Sequence, residues 1–115
     1  MVTNIPHQRR PKMIKVSILY PKTADSTFDM DYYRNTHMAL VRDRLGNACK
    51  QTAIESGIAG GAPGEEPTYM VMGHLYFDSV DQFQTTFGPH TDELLGDIPN
   101  FTNVQPRVQI SEVIE

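Results

Sequence analysis

Phe28-Asp29-Met30-Asp31-Tyr32-Tyr33-Arg34-Asn35-Thr36-His37-Met38-Ala39-Leu40-Val41-Arg42-Asp43-Arg44-Leu45-Gly46 reads as one amphipathic helix with a histidine where a core residue belongs. Asp29 serves as N-cap, and Asp31 puts negative charge in the first turn, where the helix dipole favours it. Gly46 and Asn47 supply the stop. At about 100° per residue, Met30, Tyr33, Leu40, Val41 and Leu45 fall on one side, with Asp31, Asn35, Thr36, Arg42 and Asp43 on the other. His37 lands inside the apolar arc, between Tyr33 and Val41. Arg44 shares that line, but its long stem can carry the charge out of an apolar surface. The short imidazole cannot. Either His37 is a core histidine with a buried partner, or it points into a pocket.

Before this helix, Ile14, Val16, Ile18 and Tyr20 alternate with Lys15, Ser17 and Leu19, the period of a half-buried strand that Pro21 ends. Lys22 to Thr27 is a connecting loop. After the helix, residues 48–58 carry no helical period and hold β-branched Thr52 and Ile54, which predicts a second strand. Ala59 to Pro67, with Gly60, Gly61, Gly64, Pro63 and Pro67, reads as a mobile surface loop. A phosphate cradle is discounted there, because no Lys-Ser/Thr pair comes after it and Glu65 and Glu66 would repel an anion. Thr68 to Phe77 is the strongest strand, with Tyr69, Val71, Leu75 and Phe77 on one face and Gly73 leaving room for a neighbour. Met70, Met72, His74 and Tyr76 occupy the other face.

Ser79 and Gln82 form a capping box for a second helix whose buried stripe is Val80, Phe83 and Phe87. Gly88-Pro89 should kink it. Beyond the kink, His90 and Leu94 continue the Phe83-Phe87 line, so a second histidine replaces a core residue. Ile98 to Asn103 is a turn-rich connection, and Val104, Val108 and Ile110 mark a last strand. Strand, helix, strand, strand, helix, strand is the ferredoxin-like α+β order, a four-stranded antiparallel sheet with its helices on one face. Strands one and three are expected to run parallel through right-handed crossovers, so both helices should start at the same edge of the sheet. His37 then lies about 10 Å along its helix and His90 about 15 Å along its own. At those depths both imidazoles would face one gap between helices and sheet, with Tyr20, Tyr33 and Tyr69 as further lining. His74, on the open face, is expected at an interface rather than in the pocket.

At 115 residues the chain makes one domain, large enough to bury ~65% of its unfolded surface without metals or disulfides. Residues 1–12, with Pro6, Pro11, Arg9, Arg10 and Lys12, read as a flexible N-terminal tail without a signal-peptide core, leaving 13–115 as the domain. A net charge of −4 argues against nucleic acid as a partner. Cys49 is the only cysteine, so no internal disulfide forms and a reducing, cytoplasmic setting is expected. No apolar run approaches the ~20 residues that span a bilayer, so no membrane partner is expected. No histidines sit at a helical metal-ligand spacing, and no nucleophile elbow or cysteine-histidine arrangement appears. No metal and no cofactor are expected.

Several segments also carry a resemblance. Ile14-Lys15-Val16-Ser17-Ile18-Leu19-Tyr20-Pro21, Phe28-Asp29-Met30-Asp31-Tyr32-Tyr33 and Thr36-His37-Met38 come first. Ala59-Gly60-Gly61-Ala62-Pro63-Gly64, Gly73-His74-Leu75-Tyr76-Phe77-Asp78-Ser79, Pro89-His90 and Asp97-Ile98-Pro99-Asn100 come after them. In order and spacing this resembles the EthD family, named after a component of bacterial ethyl tert-butyl ether degradation, from about residue 13 to the end. The resemblance implies a dimeric α+β barrel, a homodimer in which two domains pack the open faces of their sheets together. It maps the family's recurrent histidine after a Tyr-Tyr pair to His37, and its Pro-His pair to Pro89 and His90. It names no substrate, since the wider superfamily holds isomerases, dehydratases, cofactor-free monooxygenases and a haem branch.

Two functions stay open. One is a cofactor-independent enzyme of isomerase, dehydratase or decarboxylase type, acting on a small, apolar, cyclic or aromatic compound. There His37 and His90 would exchange a proton with the substrate while a hydroxyl of Tyr20, Tyr33 or Tyr69 holds an oxygen. The other is a non-catalytic small-molecule binding or accessory protein of a degradation pathway, which needs only the apolar walls.

Overall fold

The computed structural model describes residues 13–115; the expected tail, residues 1–12, lies outside the described residues. Four strands, β1 (Ile14–Pro21), β2 (Gln51–Ser56), β3 (Tyr69–Phe77) and β4 (Arg107–Glu112), form one sheet in the order β2-β3-β1-β4. Every neighbouring pair is antiparallel, including β1 with β3, where Ser17 stands opposite His74 and Ile18 opposite Gly73. The parallel relation of strands one and three is therefore corrected. Each helix leaves the C-terminal end of its preceding strand, and β1 and β3 point in opposite directions. The two helices thus start at opposite edges of the sheet and run antiparallel.

The first helix is not uniform. α1 (Met30–Tyr32) passes into a π-helical turn (Tyr33–His37) and then α2 (Met38–Leu45). Asp29 caps it by accepting from the Tyr32 amide at 3.0 Å, and Gly46, at φ 58°, ends it in a conformation a side chain would strain. The wider turn, closed by the Met38 amide donating to the Tyr33 carbonyl, delays the helical phase by one residue. Met38 is accordingly buried with Tyr33, His37, Val41 and Leu45, while Leu40 is only half-buried.

The second helical layer comprises α3 (Val80–Phe87), a 3-10 turn (Gly88–His90) at the expected kink, and α4 (Thr91–Gly96). The Ser79 hydroxyl accepts from the Gln82 amide at 3.0 Å, whereas the Gln82 side chain donates to Thr86 and leaves the box half closed. Val104 lies outside β4, which begins only after Pro106, a residue with no amide to give to a ladder.

The helices cover the face built from Ile14, Val16, Tyr20, Val71, Leu75 and Phe77, all buried. At one end of this core Tyr20, Phe28, Tyr33 and Phe101 meet with ring centroids 5.0–5.9 Å apart. The connection after α4 is pinned to the segment entering α1. The Asp29 amide donates to the Phe101 carbonyl at 2.7 Å, and the Thr102 hydroxyl donates to the Thr27 carbonyl at 2.6 Å. Arg44 grips Glu93 through two hydrogen bonds of 2.8 and 3.0 Å, joining α2 to α4.

At Gly73 the sheet and the first helix approach closely. A Cβ there would collide with the Tyr33 hydroxyl, while the next ring carbon lies at an ordinary 3.6 Å. Gly73→Ala should therefore cost about 1–3 kcal/mol by overpacking. In a Tyr33→Phe background the same change should cost less than about 1 kcal/mol, because the colliding atom is gone and alanine suits a strand better than glycine. Urea denaturation of the four proteins measures the difference; equal costs in both backgrounds would refute the contact.

Candidate functional site

His37 closes the π turn and stacks beneath Tyr33, the rings 5.6 Å apart and 16° from parallel. Its neighbour across the helical layer is decided by the antiparallel packing. Opposite His37 lies the end of the second helical layer, and from there Asp97 accepts a hydrogen bond from Nδ1 at 3.0 Å. Asp97 opens the 3-10 turn Ile98–Asn100, and side chains three residues apart on such a turn eclipse. The Asn100 amide accordingly folds back to donate to Asp97 at 2.9 Å, and the Tyr32 hydroxyl donates to the same oxygen at 2.7 Å.

This bonding decides the state of the imidazole. A carboxylate only accepts, so Nδ1 carries the proton and the neutral ring leaves Nε2 with a free lone pair. Burial disfavours a charged imidazole and holds the His37 pKa below the ordinary 6.5, although Asp97 pulls the other way. Burial alone would raise Asp97, but the hydrogen bonds from Tyr32, Asn100 and His37 outweigh it and leave the carboxyl below its usual range. At neutral pH the site therefore holds a neutral imidazole backed by a carboxylate.

A small cavity of about 50 Å³ sits against His37, between the helices and the sheet. Tyr20, Tyr33 and His37 supply its only titratable groups, and Met38, Val41, Leu75, Phe87 and Leu94 are among its apolar walls. Tyr20 and Tyr33 are 99% buried, yet among the described residues neither hydroxyl has a hydrogen-bond partner, and neither does His37 Nε2. Burial raises both phenols, Tyr33 to about 12 and Tyr20 further, with the Tyr33 hydroxyl adding to the effect on Tyr20. Both stay protonated and able to donate.

His37, Tyr20 and Tyr33 all line this one cavity. His90 and Tyr69 are not among the cavity's lining residues. The placement of His90 assumed helices starting at one edge. With the helices antiparallel, equal depth no longer means proximity, and His90 lies beside Glu93, the partner of Arg44. Tyr69 is half-buried at the start of β3, paired with Pro21. Sequence reasoning missed Asp97. Its signal was the Asp97-Ile98-Pro99-Asn100 turn, which reads as a connection until something is known to face it.

On the opposite face of the sheet His74 is satisfied in a different way. Nδ1 lies 2.9 Å from the Ser17 hydroxyl and Nε2 3.0 Å from a Glu55 carboxylate oxygen. Cys49 is held above the usual thiol range by burial, which disfavours thiolate chemistry. Among the described residues no group of three or more His, Cys, Asp or Glu side chains is placed to hold a metal ion, and no helix is long and apolar enough to cross a membrane.

A neutral buried imidazole has a signature in stability. Between the ordinary value of 6.5 and the lower folded value, the unfolded chain binds a proton that the folded chain refuses. The stability tied to His37 is therefore complete above about pH 7 and declines as pH falls below that. Asp97, lowered on folding, adds a further loss as pH falls through its own folded value. Urea denaturation across this range should show a steeper acid decline for the native chain than for His37→Leu. Parallel curves would rule out the buried neutral ring.

An EthD domain profile matches residues 20–105. An EthD-like protein from Ralstonia eutropha JMP134 is similar at 42% identity and TM-score 0.86, over 90% of this chain and 94% of that one. An ethyl tert-butyl ether degradation (EthD) family protein from Bacillus halodurans C-125 shares the fold at 20% identity and TM-score 0.59, over 89% and 99% of the two chains. No curated protein matches the chain. The matched segment spans most of the sequence and includes the Tyr32-Tyr33 pair, His37 and Asp97, and the chain belongs to the EthD family.

Proposed function

We propose that this protein is a cofactor-independent enzyme that moves a proton on a small, uncharged, cyclic or aromatic compound. The observation that supports this best is that Tyr20, Tyr33 and His37, buried side chains whose hydroxyls and Nε2 have no hydrogen-bond partner among the described residues, line one mainly apolar cavity. Native interiors rarely leave such atoms unpaired, and a bound ligand, a water or a catalytic role is the usual reason where they do.

The chemistry rests on their states. His37 Nε2 takes a proton from a carbon beside a substrate carbonyl, and the C–H electron pair passes into an enolate. The tyrosine hydroxyls donate to the enolate oxygen, where the charge develops. Asp97 steadies the imidazolium that forms, holding the ring by Nδ1 as it changes charge. Returning the proton to another carbon completes an isomerisation; delivering it to a departing hydroxyl gives a dehydration.

Exchange of α-hydrogens of 2-tetralone with deuterated solvent, monitored by NMR, tests the step directly. His37→Gln should lower the exchange rate about 10²–10⁴-fold. The acid limb of the native rate profile should lie below the ordinary histidine value, because burial depresses His37. Asp97→Asn should move that limb lower still, since it removes the interaction that raises the imidazole. Exchange no faster than in buffer, with the ketone nonetheless bound, would replace the enzyme by a carrier that uses the same walls.

We also propose that the working unit is a homodimer formed through the open face of the sheet. Leu19, Met70, Met72 and Tyr76 lie there half-buried, and Ser17 and Glu55 already satisfy His74. The face can therefore enter an apolar interface without an unpaired imidazole. Stable interfaces of this kind bury roughly 2,000 Å². Light scattering should give twice the chain mass at micromolar concentration, and Met72→Glu should shift it toward the monomer with the fold retained. A native monomer would refute the dimer.

A further inference from the structure

Outside the His37 cavity runs a second, open depression of about 420 Å³, between the end of α4 and the connection leading into β4. Leu95, Ile98, Pro99, Val104, Pro106 and Val108 give it apolar walls. Leu95 and Ile98 also line the inner cavity, so the two spaces share one partition. Leu95 is 50% exposed and Val108 58%, an unusual exposure for large apolar side chains beside a buried site.

The inner space is too small to work alone. A cavity that admits a benzene ring measures roughly 150 Å³, and about 50 Å³ holds a few waters at most. Any cyclic compound reaching His37 must displace part of the partition and extend beyond it. The groove is also selective in its chemistry. None of its lining residues is charged. Its Thr102 hydroxyl donates to the Thr27 carbonyl, while the Asn103 side chain accepts from the Thr27 amide and donates to the Asp25 carbonyl. Those polar groups are engaged in holding the loop, and the surface left for an occupant is mainly apolar.

We propose that groove and cavity are two halves of one ligand site, with Leu95 and Ile98 as the movable wall between them. Its ligand class is an elongated, uncharged compound of two or more rings or equivalent length. A carbonyl or hydroxyl end reaches Tyr20, Tyr33 and His37, and an apolar body lies along Val104, Pro106 and Val108. This rests on the functional reading of the His37 cavity and adds to it the size and shape of the ligand.

The neutral two-ring fluorophore N-phenyl-1-naphthylamine serves as probe, its emission reporting transfer to an apolar site. The native protein should bind it. Val108→Asp should weaken binding by at least about tenfold, because a carboxylate is set against the apolar body. Leu95→Ala should speed association severalfold by opening the wall, and His37→Leu should change the affinity from the inner end. Val108 and Leu95 are exposed enough for both variants to fold, which melting curves confirm. If Val108→Asp and Leu95→Ala bind as the native protein does while His37→Leu differs, the ligand is confined to the cavity, and the shared site is overturned with the His37 reading intact. If only the groove variants respond, the groove binds independently, and the shared site is again overturned. No binding by the native protein up to the probe's solubility limit overturns it as well, and 2-tetralone exchange then judges the His37 reading separately.

Discussion

Asp97 holds the site together because its carboxylate gathers donors from three places in the chain. Tyr32 reaches it from the start of the first helix, His37 from the π turn, and Asn100 from the turn that Asp97 itself opens. Each bond serves geometry and charge at once. The carboxylate fixes the imidazole by one nitrogen, which decides the tautomer, and the other donors stabilise the charge that makes it a good acceptor. The backbone bonds between Asp29 and Phe101, and between Thr102 and Thr27, hold the connection in the position this requires.

The electrostatics of the cavity follow from the burial of its side chains. Its walls are aliphatic and aromatic, so a charged imidazole and an ionised phenol are both disfavoured there. The result is one weak base and two hydroxyl donors, all neutral at the same pH and all lining one small cavity. The proposed proton transfer would use that combination, since a developing oxyanion gains more from fixed donors in a low dielectric than it would in water. The fit of Tyr33 over Gly73 shows how tightly one donor is placed: the strand gives up a side chain so that the hydroxyl has room.

The two faces of the sheet treat their histidines in opposite ways. His37 keeps one nitrogen bonded and one free, whereas His74 has partners at both, Ser17 on β1 and Glu55 on β2. The first arrangement leaves Nε2 without a partner among the described residues. The second neutralises a polar residue among Met72, Tyr76 and Leu19, which suits a face that meets another apolar surface. Similar residues serve different ends according to what the register sets beside them.

Local pattern in the chain was sufficient for the elements. Alternation in Ile14–Tyr20 and Tyr69–Phe77, the caps at Asp29 and Ser79, the stop at Gly46 and the kink at Pro89 all depend on neighbours within a few residues, so they could be read directly. The position of His37 on an apolar arc was legible for the same reason, as was its company with Tyr33, one turn away. The partner of His37 was not. A helix has no local signal for which edge of the sheet it starts from. Only the antiparallel pairing of β1 with β3 sets the helices running in opposite directions, bringing Asp97 to His37 and leaving His90 beside Glu93. The π turn escaped notice likewise, because one extra residue in a turn changes no composition and only rotates the rest of the helix. Sequence determined the inward faces of β1 and β3; the tertiary structure decided the helical phase after the π turn and which side chains meet, because contacts between residues 60 positions apart are fixed by strand direction and register rather than by periodicity.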